Sequence, residues 1–572
     1  MKKLFKSIYL ILIIITISIS SNVTFAKSAK FKYTKENISN YFSGSVSLDR
    51  NYTNRSYKYL SKAQSLKERH DNYNIKFIFS LVLLNKFDDA FSFSKKAWKE
   101  EEFFFEADLL LGLEYFIKKD YLNAEKHFKR LNTFSQSNIF FEDFFGNALI
   151  SWAKAAQNKK IESFKFLEKI PERYEKLKEI QYSFLQCYFD TPNTVTNFQK
   201  LIENKESGFS RYSFFLANYL FSKNKDNDAK KFITYGKNVN DSNLLIKQSS
   251  SFIVNKNKKR ITNFFQCENP VDSMAEFFYV ISNMYSTQKQ YKLSNFYLNV
   301  SLFLNNKFTP NGTLLAENYF YQKQYDNSKK IYTSLKSIGE VYSWHASKSI
   351  AVILLKQKGK EQATSYLEKE FNLLTNRNFE HYYELANFYK DNEYYKKSIK
   401  YYSLALKGLD KSHPLIPKIL DRRGTSYERS GDWDRAEKDL LESLKILPKQ
   451  AYVLNYLAYS WIEKKINVEK ALEMLKEATE LKKNDGYIID SLGWAYYALE
   501  NYIEAEKYLK RAVQLMPLDP IINDHYADAL WMLDKDLQAR YFWQYVFNLE
   551  DANKELRDNI SEKLIFGIKK KL

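Results

Sequence analysis

The sequence predicts an all-α protein built as a solenoid of helical hairpins. Its 572 residues include only 14 glycines and 9 prolines, well below the roughly 7% and 5% of average proteins. Folds that need many tight turns, such as β-sandwiches and barrels, are therefore disfavoured. Hydrophobic residues make up 45% and aromatic residues 17% of the chain, which provides material for a large core and excludes global disorder. A repeat in the sequence then indicates how the helices are arranged.

Small residues recur at a nearly constant spacing in the C-terminal third, at intervals of 34, 35 and 34 residues. Within one unit, Leu492, Gly493 and Tyr496 fall at i, i+1 and i+4, which is one stripe of an α-helix. A small residue on such a stripe lets two helices approach to about 8–10 Å. The recurring small residues are Gly424, Ala458, Gly493 and Ala527.

The same register extends towards the N-terminus, so about fifteen units fill residues 37 to 550. Ile78 replaces the small residue in one unit, and serine replaces the usual second-helix alanine at Ser163, Ser328 and Ser398. The register is weak around 150–270, where we expect irregular helices. The other first-helix positions are Gly44, Gly112, Gly146, Ser282, Ala316, Ala351 and Ala386.

This pattern resembles the tetratricopeptide repeat, a 34-residue helix–turn–helix unit with small residues at the helix contact and proline after the second helix. The resemblance covers nearly all of the chain after residue 26 and is most specific over 386–547. It implies a right-handed superhelical solenoid of about 15 hairpins, whose first helices line a concave groove that takes an extended peptide or helix. Because one hairpin cannot bury both of its faces, neighbouring units must stack.

The first 26 residues have the features of a signal peptide. Lys2, Lys3 and Lys6 precede an apolar run, and Ala26 ends a site suited to signal peptidase. We expect an exported protein, which would be periplasmic in a Gram-negative bacterium; the alternative is an uncleaved membrane anchor. The predicted organisation is a signal peptide at 1–26, an N-terminal repeat array at 27–235, an irregular joint at 236–272, a middle array at 273–415, a well-formed array at 416–550 and a tail at 551–572.

The net charge of +20 raises nucleic acid as a possible partner. However, residues 421–550 contain 18 basic and 23 acidic side chains, and the positive charge is spread over 27–420. This distribution is typical of solvated surfaces, so no nucleic-acid partner is expected. A basic repeat protein that binds nucleic acid is a less favoured alternative to a protein-binding scaffold. Cys187 and Cys267 are 80 residues apart and are interpreted as isolated core residues rather than as a bridge.

Motifs for catalysis or cofactor binding are absent from the sequence. It contains no HExxH, GxSxG, GxxxxGK[ST] or GxGxxG, and no histidine pairs with a cysteine in metal-binding spacing. Once the repeats are assigned, no stretch of domain size remains for a catalytic module. We therefore predict no enzymatic activity, no cofactor and no metal site.

Polar and aromatic residues recur one turn before the packing stripe of the last four units. Asp421 and Asn455 begin a column of Asp and Asn that is flanked by Tyr and Trp. Aromatic side chains provide large contact areas, and Asp or Asn can bond backbone amides or basic side chains. Family members that clamp a peptide C-terminus carry Lys, Asn and Arg there, so a carboxylate clamp is disfavoured; the alternative is that the acids bond within the groove. The predicted partner-binding residues are Tyr452, Asn455, Tyr459, Tyr487, Asp490, Trp494, Asp524 and Asp528.

The predicted function is that of an exported scaffold or adaptor for a protein or peptide partner. The C-terminal third also resembles long tetratricopeptide proteins of the proteobacterial envelope, through the segments YLAYSWIEK, DGYIIDSLGWAYY and INDHYADALWMLDKDLQARYFWQ. Some of these proteins are lipoproteins that act as adaptors for a processing protease, so the resemblance implies an envelope protease or assembly machine as partner. The alternative is a membrane-anchored envelope assembly factor that retains its signal segment.

Overall fold

The structure is a computed structural model that describes residues 33–67, 70–132, 143–203, 209–239 and 242–569. The predicted signal peptide at 1–26 lies outside these residues. The described residues form helices and contain no strand, which confirms the predicted all-α repeat fold. Among them, no helix combines the length and the apolar character needed to cross a membrane.

The chain divides into two compact units at residue 367. The helices of the N-terminal unit are α1 (Lys35–Asp49), α2 (Thr53–Leu60), α3 (Asp71–Leu83), α4 (Phe87–Ala97), α5 (Phe105–Ile117), α6 (Tyr121–Arg130), α7 (Phe145–Ala156), α8 (Lys160–Glu168), α9 (Glu175–Tyr188), α10 (Thr194–Glu203), α11 (Tyr212–Ser222), α12 (Asp226–Val239), α13 (Leu244–Val254), α14 (Lys258–Thr262), α15 (Pro270–Thr287), α16 (Tyr291–Leu304), α17 (Gly312–Tyr321), α18 (Tyr325–Leu335) and α19 (Glu340–Lys358).

The boundary between the units lies within α20 (Lys360–Asn372). The C-terminal unit continues with α21 (Phe379–Asp391), α22 (Tyr395–Lys407), α23 (Ile416–Arg429), α24 (Trp433–Ile446), α25 (Ala451–Glu463), α26 (Val468–Leu481), α27 (Gly486–Ala498), α28 (Tyr502–Leu515), α29 (Pro520–Met532), α30 (Asp536–Asn548) and α31 (Lys554–Phe566). Taken two by two, α1 to α30 make fifteen successive pairs, the number that the repeat predicted.

The small residues lie where the two helices of a pair touch. A methyl group on Gly493 would stand 2.6 Å from Leu509 Cγ, and one on Gly424 would stand 3.0 Å from Leu440 Cγ. The substituting serines Ser328 and Ser398 are fully buried, and each donates its hydroxyl to a backbone carbonyl. The sequence register therefore marks a real steric requirement at the contact between paired helices.

The N-terminal unit buries the faces of its own first helices. Helices α15 and α16 pack against α3, α7 and α9. Aromatic pairs form the contacts: the Phe79 and Phe296 ring centroids are 4.5 Å apart, and those of Phe145 and Phe277 are 5.5 Å apart. One continuous core results, which extends from Leu48 to Phe308. In this unit the surface on which repeat proteins usually take a ligand is covered by the chain itself.

A buried ion pair joins α15 to the start of α11. The Arg211 guanidinium donates to both carboxylate oxygens of Glu276, at 2.9 Å each, and to Asn311 Oδ1 at 2.7 Å. The Arg211 guanidinium carbon also lies 4.0 Å from the ring centroid of Tyr279. Because buried charges are stable only when paired, these contacts fix α15 in one position against the first helices.

Two of our expectations for the chain are wrong. Cys187, at the end of α9, forms a disulfide with Cys267 in the loop before α15, so the cysteines are not isolated core residues. The segment 551–569 is not a simple tail, because residues 554–566 form α31, which packs on α30. The backbone after α31 is also held, since Trp531 Nε1 donates to Ile568 O at 2.9 Å.

We expect the disulfide to stabilise the N-terminal unit. Replacing both cysteines with serine should lower the free energy of unfolding by about 3 kcal/mol, because the bridge closes a long loop in the unfolded chain; the two cysteines are 80 residues apart. Urea denaturation of the oxidised protein and of the double variant measures this difference.

A reducing agent provides the matched control for this experiment. It should lower the urea midpoint of the wild-type protein towards that of the Cys187→Ser/Cys267→Ser variant and leave the variant unchanged. Equal midpoints for oxidised wild type and variant would contradict a stabilising role.

Candidate binding groove of the C-terminal unit

All eight predicted partner-binding residues lie on three first helices, α25, α27 and α29. Helix α27 contacts both α25 and α29, so the three helices lie side by side. Each helix is packed against its own second helix through a fully buried alanine, at Ala471, Ala505 and Ala539. The opposite faces of the three first helices form the candidate groove.

The middle of the groove holds a histidine–aspartate pair. His525 Nδ1 donates to both carboxylate oxygens of Asp490, at 3.0 Å each. The His525 ring stacks on Trp494 with 4.0 Å between ring centroids, and Trp494 in turn stacks on Tyr497 at 4.6 Å. Trp494 Nε1 donates to Glu463 Oε1 at 2.8 Å. Asp490 and Trp494 are thus engaged within the groove.

At the C-terminal end, one lysine pairs with two acids. Lys563 Nζ, from α31, donates to both carboxylate oxygens of Asp524 and of Asp528 at 2.8–2.9 Å. Trp543 Nε1 also donates to Asp528 Oδ1 at 2.9 Å. Together these contacts close this end of the groove. Sequence reasoning missed Lys563 because the segment after residue 550 was expected to be a tail.

Asp528 and Lys563 at this closed end have shifted pKa values. Burial and the neighbouring Asp524 carboxylate raise the pKa of Asp528 to about 6, although Lys563 opposes the shift. Burial alone would lower the pKa of Lys563, but the two aspartates outweigh that effect and raise it. Lys563 therefore remains a cation across the physiological pH range and holds both acids in place.

The four other predicted residues remain accessible or incompletely bonded. Tyr452 and Tyr487 are 61% and 56% exposed, and Tyr452 Oη donates to Asp485 Oδ2 at 3.0 Å. Asn455 Oδ1 is buried and has no hydrogen-bond partner in the part of the chain that the structure describes. Tyr459 is half-buried, and burial with the nearby carboxylates of Glu463 and Asp490 raises its pKa. We call Tyr452, Asn455, Tyr459 and Tyr487 the open half of the groove.

Asp421, on α23, continues the column beyond Asn455. It is half-buried, and burial raises the pKa of its carboxyl even though Arg422, Lys390 and Lys418 lower it. In the repeat register it holds the same position as Asn455, one unit earlier. Across the described residues, no group of three or more His, Cys, Asp or Glu side chains is arranged to hold a metal ion.

Comparisons with known proteins agree with this repeat structure. Residues 488–519, which cover α27 and α28, match the family model described as tetratricopeptide repeat. A curated relative, the TPR repeat-containing protein PA4667 of Pseudomonas aeruginosa, is 32% identical over 107 residues. The match covers 19% of this chain and 18% of the relative, so the chain spans less than a fifth of that protein's length.

Several solved structures are also similar to parts of the chain. MamA from Desulfovibrio magneticus RS-1 is 18% identical, with 32% of this chain and 99% of that chain covered and a TM-score of 0.28. A tetratricopeptide repeat protein from Parabacteroides merdae is 18% identical, with 39% and 85% covered and a TM-score of 0.33. With the family model and the curated relative, the predicted resemblance to the tetratricopeptide repeat is confirmed.

We predict that the Asp490 carboxylate keeps His525 protonated above its ordinary pH range. Burial alone lowers the pKa of His525, but Asp490, Asp528 and Asp524 outweigh burial and raise it. The folded-state value should exceed the ordinary value of about 6.5. The contribution of the His525–Asp490 pair to the stability of the fold is then fully present below about pH 6.5, the ordinary histidine value. This contribution is lost as the pH rises through the folded-state pKa of His525. Titration of the histidine Cε1–H resonances measures this pKa.

Two variants make the titration specific. His525→Gln identifies the resonance of His525 by its disappearance. Asp490→Asn should lower the pKa of His525, because it removes the carboxylate that most stabilises the protonated imidazole. A His525 pKa at or below the ordinary histidine value in the wild-type protein would contradict the predicted pairing.

Proposed function

We propose that this protein is an exported, non-catalytic scaffold that holds an extended peptide or helix of a protein partner in the open half of the groove. The observation that carries the proposal is the surface made by Tyr452 and Tyr487, both exposed, beside Asn455, whose buried carboxamide oxygen has no partner in the described residues. Exposed tyrosines next to unsatisfied polar atoms are typical of surfaces that bind another protein.

The groove also indicates the chemistry of its partner. Asp421 and Asn455 present oxygen atoms that accept hydrogen bonds, so the partner should present donors, either backbone N–H groups or Lys and Arg side chains. At the closed end the oxygens of Asp524 and Asp528 are already bonded to Lys563. A partner segment with a basic or amide-rich face and apolar side chains for the tyrosines fits this arrangement, whereas a free peptide C-terminus would be repelled by Asp421.

Two features support the export part of the proposal. Residues 1–26 have the pattern of a signal peptide, and the Cys187–Cys267 disulfide is of a kind that persists in oxidising compartments. In a Gram-negative bacterium this location would be the periplasm, where an envelope protease or an assembly machine would be the partner. N-terminal sequencing of the natural protein tests export: a chain that starts at Lys27 supports it, and an intact Met1 would mean an uncleaved anchor.

Affinity capture tests the groove. Wild-type protein should enrich a specific partner from an envelope extract of its host, and Tyr452→Ala/Tyr487→Ala should reduce that enrichment about tenfold or more, because aromatic anchors carry much of the energy of such interfaces. Quantitative mass spectrometry of the captured proteins measures the difference.

Tyr541→Ala is the matched control. Tyr541 is 68% exposed and lies on the second helix α30, away from the groove face, so its loss should leave capture unchanged. A partner captured equally by the wild type and the groove double variant would show that the open half of the groove is not the binding surface.

A further inference from the structure

A cavity of about 1010 Å³ lies in the N-terminal unit, where three hairpin turns meet. The turns between α1 and α2, between α3 and α4, and between α17 and α18 contribute Asn51, Asn85 and Lys323. These three residues have φ values of 64°, 58° and 59°, so each turn is tight and brings its neighbours to the cavity. The volume lies at the upper end of the roughly 300–1,000 Å³ of small-molecule sites.

Side-chain amides are the most numerous polar groups in the lining of this cavity, which we call the amide cavity. Eight of them line it, against three cations and one carboxylate. Each amide offers both N–H donors and a carbonyl acceptor. Three are exposed and form no side-chain hydrogen bond within the described residues: Asn54, Asn85 and Asn306. The other lining amides are Asn51, Asn299, Gln324, Asn327 and Gln357.

A chain of hydrogen bonds fixes part of this lining. Asn327 Nδ2 donates to Gln324 Oε1 at 2.8 Å, and Gln324 Nε2 donates to Gln322 Oε1 at 3.1 Å. Gln322 Nε2 then donates to Asn51 Oδ1 at 3.1 Å and so bonds the first hairpin to the ninth. Lys292 Nζ, which lies 2.8 Å from Asp49 Oδ1, joins the first hairpin to the eighth. The amides are thus held in defined orientations before any ligand arrives.

Three tyrosines contribute to the apolar part of the wall, together with Leu83, Leu84, Leu302, Phe303, Leu315 and Ile331. Tyr52 is 54% exposed, and the Arg55 guanidinium carbon lies 5.2 Å from its ring centroid. Burial raises the pKa of Tyr319 to about 12, so its hydroxyl stays protonated and can donate a hydrogen bond. Tyr325 and Phe303 complete the aromatic lining.

We propose that the amide cavity binds a neutral oligosaccharide. Sugar hydroxyls both donate and accept hydrogen bonds, so they can bond the N–H donors and the carbonyl acceptor of an amide. The C–H faces of sugar rings pack on tyrosine rings. An anion presents acceptors only, so it could not donate to the carbonyls of Asn54, Asn85 and Asn306, the three amides that form no side-chain hydrogen bond within the described residues. The cations Arg55, Lys323 and Lys330 are exposed, whereas strong phosphate sites surround the ligand with charged donors. This site is separate from the groove of the proposed function.

Calorimetric titration of the full-length protein tests the proposal. The probes are maltotetraose, cellotetraose, mannotetraose and the tetramer of N-acetylglucosamine, each at up to 10 mM. We expect at least one of them to bind, and Tyr52→Ala and Asn54→Ala/Asn306→Ala should each raise its Kd about tenfold or more through loss of ring contact or of hydrogen bonds. These side chains are exposed, so the variants should fold.

Asn227→Ala is the matched control, because Asn227 is an exposed amide of the same unit outside the cavity lining; it should leave the Kd unchanged. Sodium phosphate and tetraglycine are titrated in parallel to represent anions and peptides. The proposal is overturned if no neutral tetrasaccharide binds, if phosphate or tetraglycine binds as tightly as the best sugar, or if the cavity variants bind it like the wild type.

Discussion

The close approach of two helices at a small residue is the constraint on which the rest of this structure depends. At Gly493 and Gly424 the partner helix leaves no room for a methyl group without displacement of a leucine. This contact fixes the crossing angle of the two helices in each hairpin and the distance between their axes. It therefore also determines which residues of the first helix face away from the second helix. The binding surfaces proposed for the two units follow from that geometry, because they are built from residues that the contact between paired helices leaves free.

The two units use the free faces of their first helices differently. In the N-terminal unit, α15 and α16 cover α3, α7 and α9 with phenylalanine contacts and the Arg211–Glu276 ion pair. In the C-terminal unit, the chain covers only one end of the groove, through Lys563. The amide cavity and the open half of the groove are what remain accessible in each unit. Their linings differ in chemistry, with amides dominant in one and tyrosines beside acceptor oxygens in the other.

Local features of the fold could be predicted from the sequence, whereas distant contacts could not. The 34-residue spacing identifies hairpins because each helix contact involves residues close in the chain, such as Gly493 and Leu509. The Cys187–Cys267 bridge and the packing of Phe79 on Phe296 join segments that no repeat register relates, so sequence spacing carries no signal for them. The same holds for the groove: periodicity placed Asp524 and Asp528 on one face correctly. Their pairing with Lys563 depends on a helix that has no repeat signature.

Site-specific photo-cross-linking tests the central claim, that the open half of the groove is where this repeat protein holds its partner. A benzophenone amino acid would be placed at position 452 or 487, and at position 541 on the second helix α30 as the reference. The account predicts that irradiation in a host envelope extract gives a discrete protein adduct from positions 452 and 487 and none from 541. Adducts of equal yield from all three positions, or from position 541 alone, would contradict it.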